Sequence, residues 1–255
     1  MESIRGASFF GKKPQVLVVG CGGTGGYIIR DIARAMKHIP FTLDIQDGDK
    51  VEHKNLIRQN FLEQDIGRNK AEVLAERYSA GYGVEISYKQ TYLKYTTSNN
   101  QYAIIISAVD NNATRQIIRN TNHNIWIDVG NELSNGQAFL GIRDYFDLFS
   151  IHPELEEIDK HPEELSCAER ISSGEQSYTI NLTAGLVVVN IFMSLITNKK
   201  IPYYEVMFNN RNTTTKKLMK DYGLHVGHAA ANYVSLKQLK EAKDGANEAA
   251  PAVAE

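Results

Sequence analysis

The feature that most constrains this chain is Gly20-Cys21-Gly22-Gly23-Thr24-Gly25. It lies between a β-branched run, Gln15 to Val19, and a segment with Ile28, Ile29, Ile32 and Ala33 at helical spacing. A strand that enters a helix through glycines turns sharply and lets phosphate oxygens approach backbone N–H groups at the helix N-terminus. A side chain at Gly20, Gly22 or Gly25 would obstruct that approach. Gly20, Gly22, Gly23 and Gly25 are therefore candidate nucleotide contacts, although the loop alone does not separate NAD from ATP.

The rest of the chain repeats the alternation. Phe41 to Gln46, Val84 to Lys89, Tyr102 to Ser107 and Ile125 to Val129 read as strands, with helices over Asn69 to Tyr78 and Ala113 to Asn120 between them. Such an order predicts the α/β class, a mainly parallel sheet with helices on both faces. Gln137 to Ile142 reads as a sixth strand, and residues 144–176, rich in Pro, Glu, His and Ser without a period, read as a long crossover loop around Cys167. A helix from about Ser177 to Thr197, a strand from Tyr204 to Asn209 and a short element from Thr213 to Met219 follow. The apolar stretch Leu182 to Ile196 falls short of the ~20 residues of a membrane span and reads as a buried helix. Residues 230–255, rich in Ala, Lys and Glu, read as a frayed helix or disordered tail.

The formal net charge of -2 gives no broad pull toward nucleic acid or an anionic membrane. No leader pattern opens the chain, so a cytoplasmic location is expected. With only Cys21 and Cys167, neither a disulfide framework nor a four-thiolate structural zinc site is expected.

Asp47 ends the second strand, 22 positions after Gly25, where a carboxylate can accept both ribose hydroxyls. An NAD enzyme would share it. A dehydrogenase has no reason to place Asn55, Arg58 and Gln59 just beyond, whereas a triphosphate does. Arg58 offers a planar fork of donors, and Asn55 and Gln59 can bond the ribose or α-phosphate without adding charge. Lys70 opens the next helix, with its ammonium expected to be free to meet phosphate. Asp110 follows the fourth strand, where such sheets bind ligands and an acid can hold Mg²⁺; alternatively, Asp110 or Asn112 only caps the next helix.

These runs resemble the ThiF/MoeB/ubiquitin-activating superfamily: the glycine loop, Asp47-x-Asp49-x-Val51-Glu52-x-x-Asn55-Leu56-x-Arg58-Gln59, Asp65-Ile66-Gly67-x-x-Lys70-Ala71 and Asp110-Asn111-x-x-x-Arg115, in that order. The resemblance implies a Rossmann-like ThiF-type adenylation domain over residues 1–229, with its nucleotide-binding half at 14–143. It assigns Asp47 to the ribose, Arg58, Gln59 and Lys70 to the triphosphate, and Asp110 to Mg²⁺, with Asn55 and Asp49 nearby. It implies ATP-dependent adenylation of a carboxylate, and a homodimer in which Arg5 is the one arginine of the N-terminal arm that can reach a partner's ATP. Ser166-Cys167-Ala168, Glu175-Gln176-Ser177 and Ile180-Asn181 look like the ThiF-family member of PRTRC systems. That likeness implies a ubiquitin-like partner ending in glycine, a conjugating-enzyme-like protein, a JAB-type peptidase, and Cys167 as thioester acceptor. Cys21 reads as structural. The alternatives are a same-fold enzyme adenylating a peptide or tRNA-linked acid, an NAD(P) oxidoreductase, and a non-catalytic nucleotide-binding scaffold.

Overall fold

The computed structural model describes residues 13–94, 102–143, 148–157, 177–198, 200–201, 204–210, 215–218 and 234–235. Five strands run parallel in the order β3 (Ile86–Lys89), β2 (Thr42–Gln46), β1 (Gln15–Val19), β4 (Tyr102–Ser107) and β5 (His123–Asn131). Antiparallel β6 (Asn135–Ile142), β8 (Glu205–Asn209) and β9 (Thr215–Leu218) extend the same sheet beyond β5. The register sets Val16 between Leu43 and Ile104, so β1 is the centre of an apolar layer. All six residues of β4 are buried, which requires cover on both faces.

One layer is α1 (Gly23–Ala35), packed between α2 (Lys70–Tyr82) and α5 (Tyr178–Asn198). α1 buries Ile28, Ile29, Ile32 and Ala33, the residues its spacing predicts. α2 is started by Asn69, whose side chain accepts from the N–H groups of Ala71 and Glu72, and is ended by Gly83 at φ 67°. On the other face lie α3 (Asn112–Asn120) and the short α4 (Leu148–Ile151). The Arg119 guanidinium sits 4.8 Å from the centre of the Phe149 ring, which tilts against Trp126 of β5 at 6.2 Å. α4 and the 3₁₀ turn Pro153–Glu156 fall inside the segment expected to be a loop.

α5 is long and apolar enough to cross a membrane by length and composition, and at 21 residues it exceeds the apolar stretch read from sequence. Its Ile180, Ala184, Val188, Ile191, Phe192 and Leu195 are buried, and it packs on α1, β5, β6 and β8, so it serves as the core helix the sequence predicted. The two-residue β10 (Val234–Ser235) pairs antiparallel with β7 (Lys200–Ile201), and the rest of the segment read as a tail lies outside the described residues.

Candidate active site

The order of the strands reverses between β1 and β4, and the carboxyl ends of strands at such a reversal are where open α/β sheets bind ligands. Gly20 leaves β1 at φ 91°, and a Cβ there would stand 2.5 Å from the carbonyl oxygen of Ala108, which follows β4. A Cβ on Gly25 would stand 1.9 Å from the Gly20 carbonyl oxygen. Only glycine fits either position. The first turn of α1 has no side-chain cap and no acidic residue, so its N–H groups and dipole suit an incoming anion.

Asp47, half-buried at the end of β2, accepts from the N–H of Cys21 at 2.7 Å and of Asp49 at 2.8 Å, tying the strand end to the glycine loop. Burial raises its pKa and Asp49 adds to the rise, while Lys70 opposes it. Cys21 is wholly buried, and burial followed by the Asp47 charge pushes its thiol well above the usual range. It is a packed thiol, as its place in the loop suggested.

Lys70 corrects an expectation. Its ammonium is not free: it donates to Asp49 Oδ2 at 2.8 Å and the residue is 7% exposed. The cause is local, because Asn69 Nδ2 donates to the carbonyls of Asp47 and Asp49 at 2.9 and 3.0 Å, drawing the start of α2 onto the end of β2. Burial works against the charged form of Lys70, but Asp47 and Asp49 outweigh it and its pKa is raised. The other oxygen of Asp49 accepts from the hydroxyl of Tyr92, a residue the motifs did not include.

Asn55 is buried, and its Oδ1 accepts from the N–H of Glu52 at 2.8 Å, so this oxygen closes a turn. Arg58 is half-buried. Gln59 approaches the glycine loop, its Nε2 3.8 Å from where a Gly22 Cβ would be. Its Oε1 is buried without a hydrogen-bond partner among the described residues. An orphaned buried acceptor beside a glycine cradle suits a ligand that carries donors, such as a nucleotide.

Asp110 is exposed at the end of β4. The cap of α3 is neither Asp110 nor Asn112 but Asn111, whose Oδ1 accepts from the N–H of Thr114 at 2.8 Å. Capping therefore does not occupy Asp110. Arg115 braces this loop, donating to the Val109 carbonyl at 2.9 Å and to Asp128 Oδ2 at 3.1 Å. Ser107 Oγ donates to Asp128 Oδ1 and accepts from Trp126 Nε1 at 2.6 Å, so the ends of β4 and β5 share one network. Among the described residues no three acidic, histidine or cysteine side chains form a metal cluster. A single exposed carboxylate fits a Mg²⁺ ion held jointly with phosphate oxygens.

A cluster the sequence did not mark lies beneath the cradle. Thr24 Oγ1 donates to Asn131 Oδ1 at 2.9 Å and stands 3.2 Å from Asn181 Oδ1, which accepts from Asn131 Nδ2 at 2.9 Å. These residues come from α1, β5 and α5, so no local spacing could reveal them. Cys167 and Arg5 lie outside the described residues.

A family model described as ThiF family matches residues 12–224. Among solved structures, PaaA in selenomethionine form superposes with a TM-score of 0.60 at 17% identity, covering 82% of this chain and 64% of PaaA. E. coli MccB with ATP gives 0.58 at 16% identity, covering 82% and 64%. E. coli MccB with AMPCPP and MccA gives 0.59 at 16% identity, with the same coverage. At these identities the likeness is one of fold, and the chain spans less than two thirds of the length of these neighbours. No curated protein matches the chain.

Proposed function

The chain belongs to the ThiF family, and on that premise we propose that it transfers AMP from ATP to a carboxylate, the C-terminal carboxylate of a ubiquitin-like or other small carrier protein. The observation that carries this reading is the convergence, at the carboxyl ends of β1, β2 and β4, of an uncapped helix N-terminus with Asp47, Lys70 and Asp110. An NAD(P) oxidoreductase would use the glycines and Asp47 but has no task for Arg58 or Asp110.

In the proposed reaction a carboxylate oxygen attacks the α-phosphorus, the bond to the β-phosphate oxygen breaks, and pyrophosphate leaves. Asp47 orients the ribose. The first-turn N–H groups of α1 hold phosphate oxygens, and a ribose hydroxyl donates to Gln59 Oε1, which lacks a donor among the described residues. Arg58 meets the charge that builds on the phosphoryl oxygens, and Lys70 joins it by exchanging its Asp49 contact for phosphate. Asp110 would hold Mg²⁺, which when bound would neutralise charge on the departing pyrophosphate. No proton-transfer set is needed, because catalysis rests on positioning and electrostatics.

The finer features are proposed with it: a partner tail ending in glycine, a homodimer, a cytoplasmic location, and kinship to PRTRC systems with their conjugating-enzyme-like protein. Cys167 is proposed to accept the acyl group, its thiolate attacking the acyl carbonyl as AMP leaves. A thiol-sensitive adduct lost in Cys167→Ala supports that step, and an adduct that survives the substitution moves the acceptor elsewhere. The structure of MccB with AMPCPP and MccA favours a second reading, the same chemistry on a carboxylate of another kind. The test of the main reading is exchange of labelled pyrophosphate into ATP in the presence of small proteins ending in glycine. Exchange supported only by other carboxylates selects the second reading, and no exchange with any carboxylate rejects adenylation.

A further inference from the structure

We infer that Asn181 is a positioning residue of the nucleotide site, fixing from inside α5 the gap between the first turn of α1 and the backbone at Arg58; the inference rests on the ATP reading above. Asn181 is 0% exposed in a helix whose neighbouring buried positions are Ile180, Ala184 and Val188. Burying an amide is unfavourable unless it is hydrogen-bonded, so a position needed only for packing would take leucine. The amide is used on both sides. Its Oδ1 accepts from Asn131 Nδ2 at 2.9 Å and lies 3.2 Å from Thr24 Oγ1, while its Nδ2 points to the Arg58 carbonyl oxygen at 3.5 Å.

The contact with α1 leaves no slack. A Cβ on Gly23 would stand 2.2 Å from Asn181 Nδ2, so the missing side chain at Gly23 is what admits the amide. One turn further along α5, a Cβ on Gly185 would stand 2.8 Å from the Cβ of Tyr27, which fixes the same helix pair at a second point. Thr24 belongs to the cradle, and Arg58 to the candidate phosphate-binding run that follows β2. Asn181 contacts both, and Asn131 ties it to the end of β5. A side chain that sets this width acts on affinity through Arg58 and the α1 N–H groups, without touching ATP.

The test compares Mg²⁺-ATP titrations with urea unfolding for wild type, Asn181→Leu and Leu195→Ala. Leu195 is equally buried in the same helix, outside the Thr24–Asn131–Asn181 cluster. Both variants should lose stability, but only Asn181→Leu should raise the Kd for ATP, by roughly 10-fold or more, the scale of a slightly misplaced site. Asn131→Ala, at a half-buried strand end, should raise it in the same direction and keeps the test decisive where Asn181→Leu does not fold. Wild-type affinity in the Asn181 and Asn131 variants, or an equal loss in Leu195→Ala, overturns the inference. Wild-type protein that binds no ATP overturns the nucleotide reading itself, and the inference falls with it.

Discussion

Arg115→Met keeps most of the side-chain stem and removes the guanidinium that joins Asp128, the Val109 carbonyl and Asn112 Oδ1. The side chains of Arg115 and Asp128 are 10% and 7% exposed, so water cannot replace the lost partner. Breaking a buried pair by removing one member costs ~3–5 kcal/mol. Ser107 continues to donate to Asp128, which favours the lower end of that range, and the stranded Val109 carbonyl adds ~1 kcal/mol. The expected loss is thus about 3–4 kcal/mol, or a fall in Tm of roughly 10 °C for a chain of this size. It is read as a lower urea midpoint at unchanged slope. Arg115→Met with Asp128→Leu should recover most of the loss, because an apolar pair leaves no stranded charge. A single-variant cost below about 1 kcal/mol, the scale of a surface ion pair, would refute the assignment of Arg115 as a buried brace.

Gly25→Ala should abolish ATP binding and unfold or strongly destabilise the protein, since its Cβ overlaps the Gly20 carbonyl; Gly81→Ala, in helix α2 with open space around it, should stabilise by ~0.5 kcal/mol. Thermal melts of the two variants check both signs. Lys70 has a raised folded pKa, so its contribution to stability is complete below the free-lysine value of 10.5 and fades as pH rises through the folded value. The gap in urea midpoint between wild type and Lys70→Met should therefore narrow on passing from below 10.5 to above it, and a constant gap would contradict the pairing. Asp110→Ala should keep wild-type stability, being exposed, yet lose Mg²⁺-dependent pyrophosphate exchange; retained exchange would move the metal site elsewhere.

The parallel core was legible because its signals are local. β1 and β4 occupy the residues their β-branched runs suggested, and β2 lies within one residue of its reading. α1 begins at Gly23, five residues before Ile28, the first of its spaced apolar residues, because glycines carry no apolar period to read. α4 was hidden for another reason: Leu148 and Phe149 are too short an apolar run to stand out among polar neighbours, and Trp126 supplies the packing that orders them. The motifs located the ends of β1, β2 and β4, but their pairwise chemistry depended on tertiary contacts. Lys70 looked free because Asp49 stands 21 positions away, and Asn181 looked like the start of an apolar helix because Thr24 and Asn131 are 157 and 50 positions away.

Equilibrium titration with Mg²⁺-ATP and, separately, NAD tests the central claim most directly, because it needs no partner protein. The account predicts saturable binding of ATP, weakened in Arg58→Ala by ~10-fold or more as one phosphate-facing charge is lost, and no comparable binding of NAD. Tighter binding of NAD than of ATP, or ATP affinity unchanged in Arg58→Ala, would contradict it.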